Sequence, residues 1–360
     1  MGLQPVLTDY PWDQSFSEII DVRSPSEFAE DHIPEALNLP VLNDHQRAEV
    51  GKVYKQISPF AARKLGAALV SQNIAVHLQQ HFGTKPKTYR PLIYCWRGGQ
   101  RSQSLALVLT QVGWRTALLR GGYKSYRHFV RESLNQLPDQ FSFNVLWGLT
   151  GTAKTGILQR MQQKGSAVLD LEHLACHRGS LLGSLDEMPQ PSQKGFESRL
   201  VEVLRSFPAG QTLWIEAESS KIGQVFIPGP LWKRLKHSPC VAVDAPIQGR
   251  VAYLCENYPR FAQDLAGLRP KLQQLKARYG KIQIERWNQL IAAQKVPEIV
   301  QSLLEVHYDP AYRRSMGQQY LDPILTLVLP DLKAKTLEQT AQTLISLDLR
   351  STAQGSRVTL

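Results

Sequence analysis

Two stretches of this chain share one grammar: a short apolar run, a glycine-bearing loop, then a helix. Leu92-Ile93-Tyr94 leads into Cys95-Trp96-Arg97-Gly98-Gly99-Gln100-Arg101. Leu105, Val108, Leu109 and Val112 then recur at i, i+3, i+4, i+7 spacing, the stripe of an amphipathic helix. Phe143-Asn144-Val145-Leu146-Trp147 leads into Gly148-Leu149-Thr150-Gly151-Thr152-Ala153-Lys154-Thr155. Apolar runs too short for a helix, each followed by one, predict parallel strands with helices on both faces. Other segments keep the rhythm. Glu18 to Arg23 reads as a strand ending in charge, with a cap and a first-turn proline in Ser24-Pro25. His32 to Pro40 reads as a turn into another short strand, residues 58–82 as one long helix with Phe60 and Leu65 among its apolar positions, and Ala117-Leu118-Leu119 as a strand. Ala167 to Asp170, Thr212 to Glu216 and Val241 to Asp244 are further strands, each ending in a carboxylate.

The two loops carry the chemistry. Between a strand and a helix, the amides of Arg97 to Arg101 can converge on one spot, backed by the positive end of the helix. Gly98 and Gly99 let the backbone wrap, and Arg97 and Arg101 add charge suited to a phosphate-like group. The same field favours a thiolate, which makes Cys95 the candidate nucleophile. The second loop has the form of a phosphate-binding P-loop. Gly148, Gly151 and Lys154 would cradle a diphosphate, and Thr155 stands where a hydroxyl can reach a Mg²⁺ ion. Ala153 replaces the usual glycine and puts a methyl where close approach is expected, which would disturb γ-phosphate geometry. The strand-end carboxylates either orient a metal ion or water, or are helix caps or surface charge. No metal-ligand set and no tightly bound cofactor are expected.

Charge and cysteines bound the partners. A formal net charge of +11 and a pI near 9.5 point to a polyanion, nucleic acid first. Residues 247–305 read as helices rich in cations, among them Arg250, Arg260, Arg278 and Lys281. Tyr253, Tyr258, Tyr279 and Trp287 are interleaved with them, a composition suited to RNA phosphates and unstacked bases. Arg278 and Lys281 are the candidate contacts. Four scattered cysteines form no metal or disulfide spacing and fit a reducing compartment, the cytoplasm. No apolar stretch approaches the ~18 residues of a membrane span. A linker near Asn135 to Asp139 divides the chain into residues 1–135, 140–246 and a basic helical part, 247–360, with a polar tail after Thr352 expected to fray.

Ile20-Asp21-Val22-Arg23, His32-Ile33-Pro34-Glu35-Ala36, the Cys95 loop and Leu119-Arg120-Gly121-Gly122-Tyr123 resemble the rhodanese domain. Five residues lie between Cys95 and Arg101, where common sulfurtransferase loops have four, a wider frame suited to a tetrahedral ligand. Further pieces are Tyr54 to Phe60 with Ala62 to Gly66, Asp170 to Leu174 with His177-Arg178-Gly179-Ser180, Gln190 to Lys194, Glu218-Ser219 and Tyr308 to Tyr312. With the P-loop they make the chain similar to the tRNA 2-selenouridine synthase family, a rhodanese domain fused to a P-loop domain. Ala153 and Ser220, the latter where an arginine is expected, depart from that pattern.

The resemblance implies a transferase. It would geranylate wobble 2-thiouridine of tRNA from geranyl diphosphate, then replace the geranylthio group with selenium from selenophosphate. Two anion cradles would match two anionic small substrates, with Cys95 handling selenium. The rival readings are a nucleotide-dependent kinase or ATPase carrying a sensory rhodanese module, and a cysteine phosphatase. Oligomeric state is not legible in the sequence.

Overall fold

A computed structural model of the chain describes residues 4–9, 11, 16–177, 189–257, 265, 267–316, 319–347, 349 and 356–359. It divides into two compact units, Met1–Leu134 with Pro191–Glu202, and Asn135–Gln190 with Val203–Leu360.

The first unit is built on a five-stranded parallel sheet of β1 (Val6–Thr8), β2 (Glu18–Asp21), β3 (Leu37–Asn38), β4 (Pro91–Tyr94) and β5 (Ala117–Leu119), in the order β1-β5-β4-β2-β3. All four residues of β4 are buried, as expected of a central strand covered on both faces. Helix α1 (Pro25–Glu30) starts from a capping box in which Ser24 and Glu27 satisfy each other's backbone donors. The helix expected over residues 58–82 is α3 (Pro59–His77) followed by a π-turn, Leu78–Phe82. A separate helix, α2 (Asp44–Gln56), precedes it. The two meet at a corner, where Ser58 Oγ accepts from Ala61 N at 3.0 Å and Pro59 opens α3. Phe60, counted among the apolar positions, lies on that corner and is exposed. After β4 comes α4 (Gln100–Val112), and after β5 comes α5 (Gly122–Gln136).

The second unit holds a six-stranded parallel sheet. Its strands are β6 (Ser142–Gly148), β7 (Val168–Leu169), β8 (Thr212–Glu216), β11 (Cys240–Asp244), β12 (Leu325–Val328) and β13 (Ser356–Thr359), in the order β13-β12-β11-β6-β8-β7. A small antiparallel ribbon, β9 (Lys221–Ile222) with β10 (Val225–Phe226), lies outside it. From β6 the chain goes first to one side of the sheet and later to the other. The carboxyl end of β6 is therefore a topological switch point, the usual place for a ligand in such sheets. Helix α6 (Lys154–Gln163) packs on this sheet with α7 (Leu171–Ala175) nearby in sequence. Helix α8 (Gln193–Ser206) belongs to the first unit as far as Glu202, and α9 (Gly229–Lys236) and α10 (Ile247–Asn257) follow in the second. Then come α11 (Leu268–Gln274), α12 (Lys276–Ala292), α13 (Val296–Leu303), α14 (Asp309–Met316) and α15 (Ala334–Ser346).

Two expectations change here. Trp287 does not face solvent: it is fully buried among Leu272, Ile284, Ile291 and Ile299, and its indole N–H donates to Ser302 Oγ at 2.9 Å. It is the core of the helical cluster and cannot stack on a base. The C-terminal stretch expected to fray supplies β13, which pairs with β12 in parallel register from Leu325↔Ser356 to Val328↔Thr359.

Candidate functional sites

In the first unit, Cys95 ends the buried strand β4 and is 3% exposed. Its sulfur accepts from Ser102 Oγ at 3.2 Å, one turn into α4. Among the described residues, the amides of Trp96 to Arg101 have no acceptor, so the loop and the first turn of α4 leave a run of donors beside the thiol. The loop rests on the turn after β5. Tyr123 N donates to Cys95 O at 2.8 Å and Lys124 N to Trp96 O at 3.0 Å. Gly122, at φ +59, makes this close approach possible: a Cβ there would lie 2.2 Å from Cys95 O.

Beneath that turn lies a buried polar brace. Arg23 pairs with Asp21 at 2.6 Å, donates to Asp31 O at 2.6 Å and sits 4.0 Å over the Tyr123 ring. Tyr123 in turn donates to Asp31 Oδ2 at 2.7 Å. Gly98, at φ +67, packs against the turn after β5, where a Cβ would lie 3.0 Å from Leu119 O, Gly99 has open space at its Cβ position, and Arg97 is exposed. Arg101 is placed differently from a free phosphate clamp. Its guanidinium donates to both Glu27 oxygens, at 2.7 and 3.4 Å, and Arg47 from α2 shares that carboxylate at 2.9 Å. The backbone amides, together with Arg97, therefore carry the positive field of the loop.

In the second unit, Gly148 ends β6, and Gly151, Lys154 and Thr155 follow in a loop opening α6. Lys154 Nζ donates to Gly148 O at 2.9 Å and lies 5.4 Å over the Tyr312 ring, curled across the loop it would serve. Among the described residues, the amides of Gly151, Ala153, Lys154 and Thr155 have no acceptor. Ala153 adopts the left-handed conformation, φ 61, that glycine more often supplies, at a cost of about 1–2 kcal/mol. Its methyl belongs to the core cluster with Leu146 and Ile157 and is 5% exposed. The crowding expected of this alanine is therefore absent, because at this φ its Cβ turns into the core.

Of the strand-end carboxylates, Asp170 caps α7 by accepting from His173 N at 2.8 Å, and Asp244 faces Arg357 at 3.3 Å. Glu216, at the end of β8, is different. It is buried, and its oxygens gather with those of Glu172 and Glu218 within 4.8 Å of one another. Burial, then the charge of Glu172, pushes the Glu216 carboxyl up to about 8. Burial and Glu216 push Glu218 up to about 7, and burial and Glu218 push Glu172 well up. Thr155 Oγ1 lies 3.4 Å from Glu172 Oε2, and Glu216 Oε1 has no partner among the described residues. An orphaned buried carboxylate oxygen, two more carboxylates and a P-loop hydroxyl fit a divalent cation of the Mg²⁺ type. The sequence reading assigned no such set. The signal it could have used is Glu216-Ala217-Glu218: at a strand end, residues i and i+2 point to one side.

Arg250, counted among the RNA-facing cations, is 3% exposed and braces the P-loop instead. It donates to Thr150 O at 2.9 and 2.7 Å and to both Asp309 oxygens at 2.9 and 2.6 Å. Arg278 and Lys281 are exposed on α12, with Arg278 5.4 Å from the ring of Tyr279. Arg260, Tyr258 and Arg178-Gly179-Ser180 lie outside the described residues.

Family models match both units: "tRNA 2-selenouridine synthase AAA domain" over residues 141–327 and "Rhodanese-like domain" over residues 7–128. A Bdellovibrio bacteriovorus protein named tRNA 2-selenouridine synthase is 33% identical, across 84% of this chain and 90% of its own. Proteins of that name from Nitrosomonas europaea and Aeromonas salmonicida are 37% and 36% identical across 67% of this chain. The matches span 63% and 64% of their own lengths, less than two thirds.

Proposed function

This chain belongs to the tRNA 2-selenouridine synthase family, and from that premise we propose that it is a transferase that exchanges the sulfur of wobble 2-thiouridine in tRNA for selenium. The observation that carries the reading is the pair of amide cradles, one beside a buried thiol and one beside a lysine and three carboxylates. In the first half-reaction the thiocarbonyl sulfur attacks the allylic carbon of geranyl diphosphate, the carbon–oxygen bond breaks and diphosphate leaves. Gly148, Gly151 and Lys154 hold the diphosphate and stabilise the charge that grows on it. A divalent cation, held by Thr155 with Glu172, Glu216 and Glu218, would neutralise further charge on the same group. Alkylation turns a poor leaving group into a good one. In the second half-reaction the selenium of selenophosphate attacks C2 of the base, the C2–S bond breaks and geranylthiol leaves, and hydrolysis of the Se–P bond releases phosphate. Arg97 and the amides around Gly98, Gly99 and Arg101 bind the tetrahedral anion, and Cys95 handles the selenium. Arg278 and Lys281 contact tRNA phosphates.

The test is a split between half-reactions. Lys154→Ala should stop formation of S-geranyl-2-thiouridine, yet convert pre-geranylated tRNA to selenouridine. Cys95→Ser should do the reverse. Nucleoside mass spectrometry reads both products. tRNA-stimulated ATP hydrolysis with geranylation indifferent to Lys154 would favour an ATPase instead.

A further inference from the structure

Residues 50–131 contain no aspartate or glutamate, yet they hold fourteen lysines and arginines. Several of these cations reach carboxylates elsewhere in the first unit: Lys85 on Glu18, Arg101 on Glu27, Arg120 on Asp9 and Arg127 on Glu197. Lys52, Lys55, Arg63 and Lys64 are exposed and have no ion-pair partner among the described residues. They flank the corner between α2 and α3. That corner also exposes three large apolar side chains, Tyr54 at 58%, Ile57 at 72% and Phe60 at 63%, with Lys64 Nζ 5.2 Å from the Phe60 ring. Single exposed apolar residues are ordinary, but three within seven residues, ringed by unpaired cations, mark a surface that meets something other than water.

We propose that the α2–α3 corner is an RNA-docking surface, on which Tyr54 and Phe60 stack with unpaired bases of the tRNA while Lys52, Lys55, Arg63 and Lys64 meet the adjoining phosphates. It rests on the reading that tRNA is the substrate, and places a contact in the first unit, apart from Arg278 and Lys281. Aromatic faces with interleaved cations suit single-stranded RNA, because every base offers a π-face and every nucleotide a phosphate. The position suits a loop presented to Cys95. Helix α2 starts beside the cysteine loop, where Arg47 shares Glu27 with Arg101, and Tyr54 lies seven residues on, about 10 Å along the axis at 1.5 Å per residue. A loop whose neighbouring bases stack on the corner can hold its target base toward the thiol.

The experiment measures binding of the full chain to an unmodified anticodon stem-loop and to a blunt RNA duplex of equal length, across a salt series. Tyr54→Ala with Phe60→Ala should weaken stem-loop binding about tenfold or more per stacked base, with the salt slope and duplex binding nearly unchanged. Lys52→Glu with Lys55→Glu and Lys64→Glu should flatten the slope of log K against log salt by about 0.7 for each phosphate no longer neutralised. All five side chains are exposed, and unchanged thermal midpoints would verify folding. Wild-type affinity and slope in both variants would overturn the docking surface while leaving the function standing. Failure of the wild type to bind either RNA would overturn both. Unchanged RNA binding with loss of self-association on sedimentation would make the corner an interface between copies and overturn the proposal.

Discussion

Gly122→Ala tests the cysteine cradle at its tightest point. The added Cβ would lie 2.2 Å from Cys95 O, 2.7 Å from Gly98 N and 3.1 Å from Arg97 N, where ordinary contact begins at 3.4 Å. All three atoms are backbone, so no rotamer change relieves the clash. The left-handed φ alone costs an alanine about 1–2 kcal/mol. Gly113 isolates that part, because it has φ +114 with nothing within 4 Å of its Cβ position. Relief at Gly122 requires the loop to lift by about an ångström. That weakens the bonds from Tyr123 N to Cys95 O and from Lys124 N to Trp96 O, each worth about 1 kcal/mol net. Gly122→Ala should therefore cost about 3–4 kcal/mol against about 1–2 for Gly113→Ala. Denaturant unfolding of the first unit measures the difference. Selenium transfer to pre-geranylated tRNA measures its consequence. Gly122→Ala should lose at least tenfold in that step, because the amides of residues 96–101 no longer converge, while S-geranylation continues. Gly113→Ala should stay near wild type in both. If the two variants are equally stable and Gly122→Ala transfers selenium normally, the cradle does not depend on this contact and the argument fails.

Glu216 gives the pH prediction. Its native value near 8 lies above the ordinary 4.5, so its contribution to stability is present below pH 4.5 and lost as pH rises through 8. Metal-free protein should lose stability across that window, Glu216→Gln should make the profile shallower, leaving the part carried by Glu172 and Glu218, and Mg²⁺ at pH 8.5 should raise the melting temperature of the wild type more than that of the variant. Identical profiles for the two forms would remove Glu216 as the titrating group. Arg250→Ala strips partners from Thr150 O and Asp309 and should cost about 3–5 kcal/mol. Calorimetry should show diphosphate affinity falling more than tRNA affinity, whereas an RNA-facing arginine would give the opposite order.

The parts of this protein legible in its sequence are those whose cause is local. Strand β4, the Cys95 loop and α4 are contiguous, as are β6, the P-loop and α6, so spacing and glycine placement suffice to read them. The misreadings share the opposite property. Arg250 looks like any basic-helix cation until Thr150 and Asp309, from 100 residues before it and 59 after, converge on its guanidinium. Trp287 has the composition of a stacking residue, and only the neighbouring helices decide that it is core. Glu172 and Glu218 become one cluster with Glu216 because β7 and β8 end side by side in a parallel sheet, a consequence of strand order rather than of either segment. Ala153 is decided by a dihedral: the methyl faces the core or the phosphates according to the sign of φ, which residue type does not set. The same reasoning directs attention to Lys52, Lys55, Arg63 and Lys64. A cation whose counter-charge comes from elsewhere in the fold belongs to the architecture, whereas these four, left without one among the described residues, keep their charge for a polyanion.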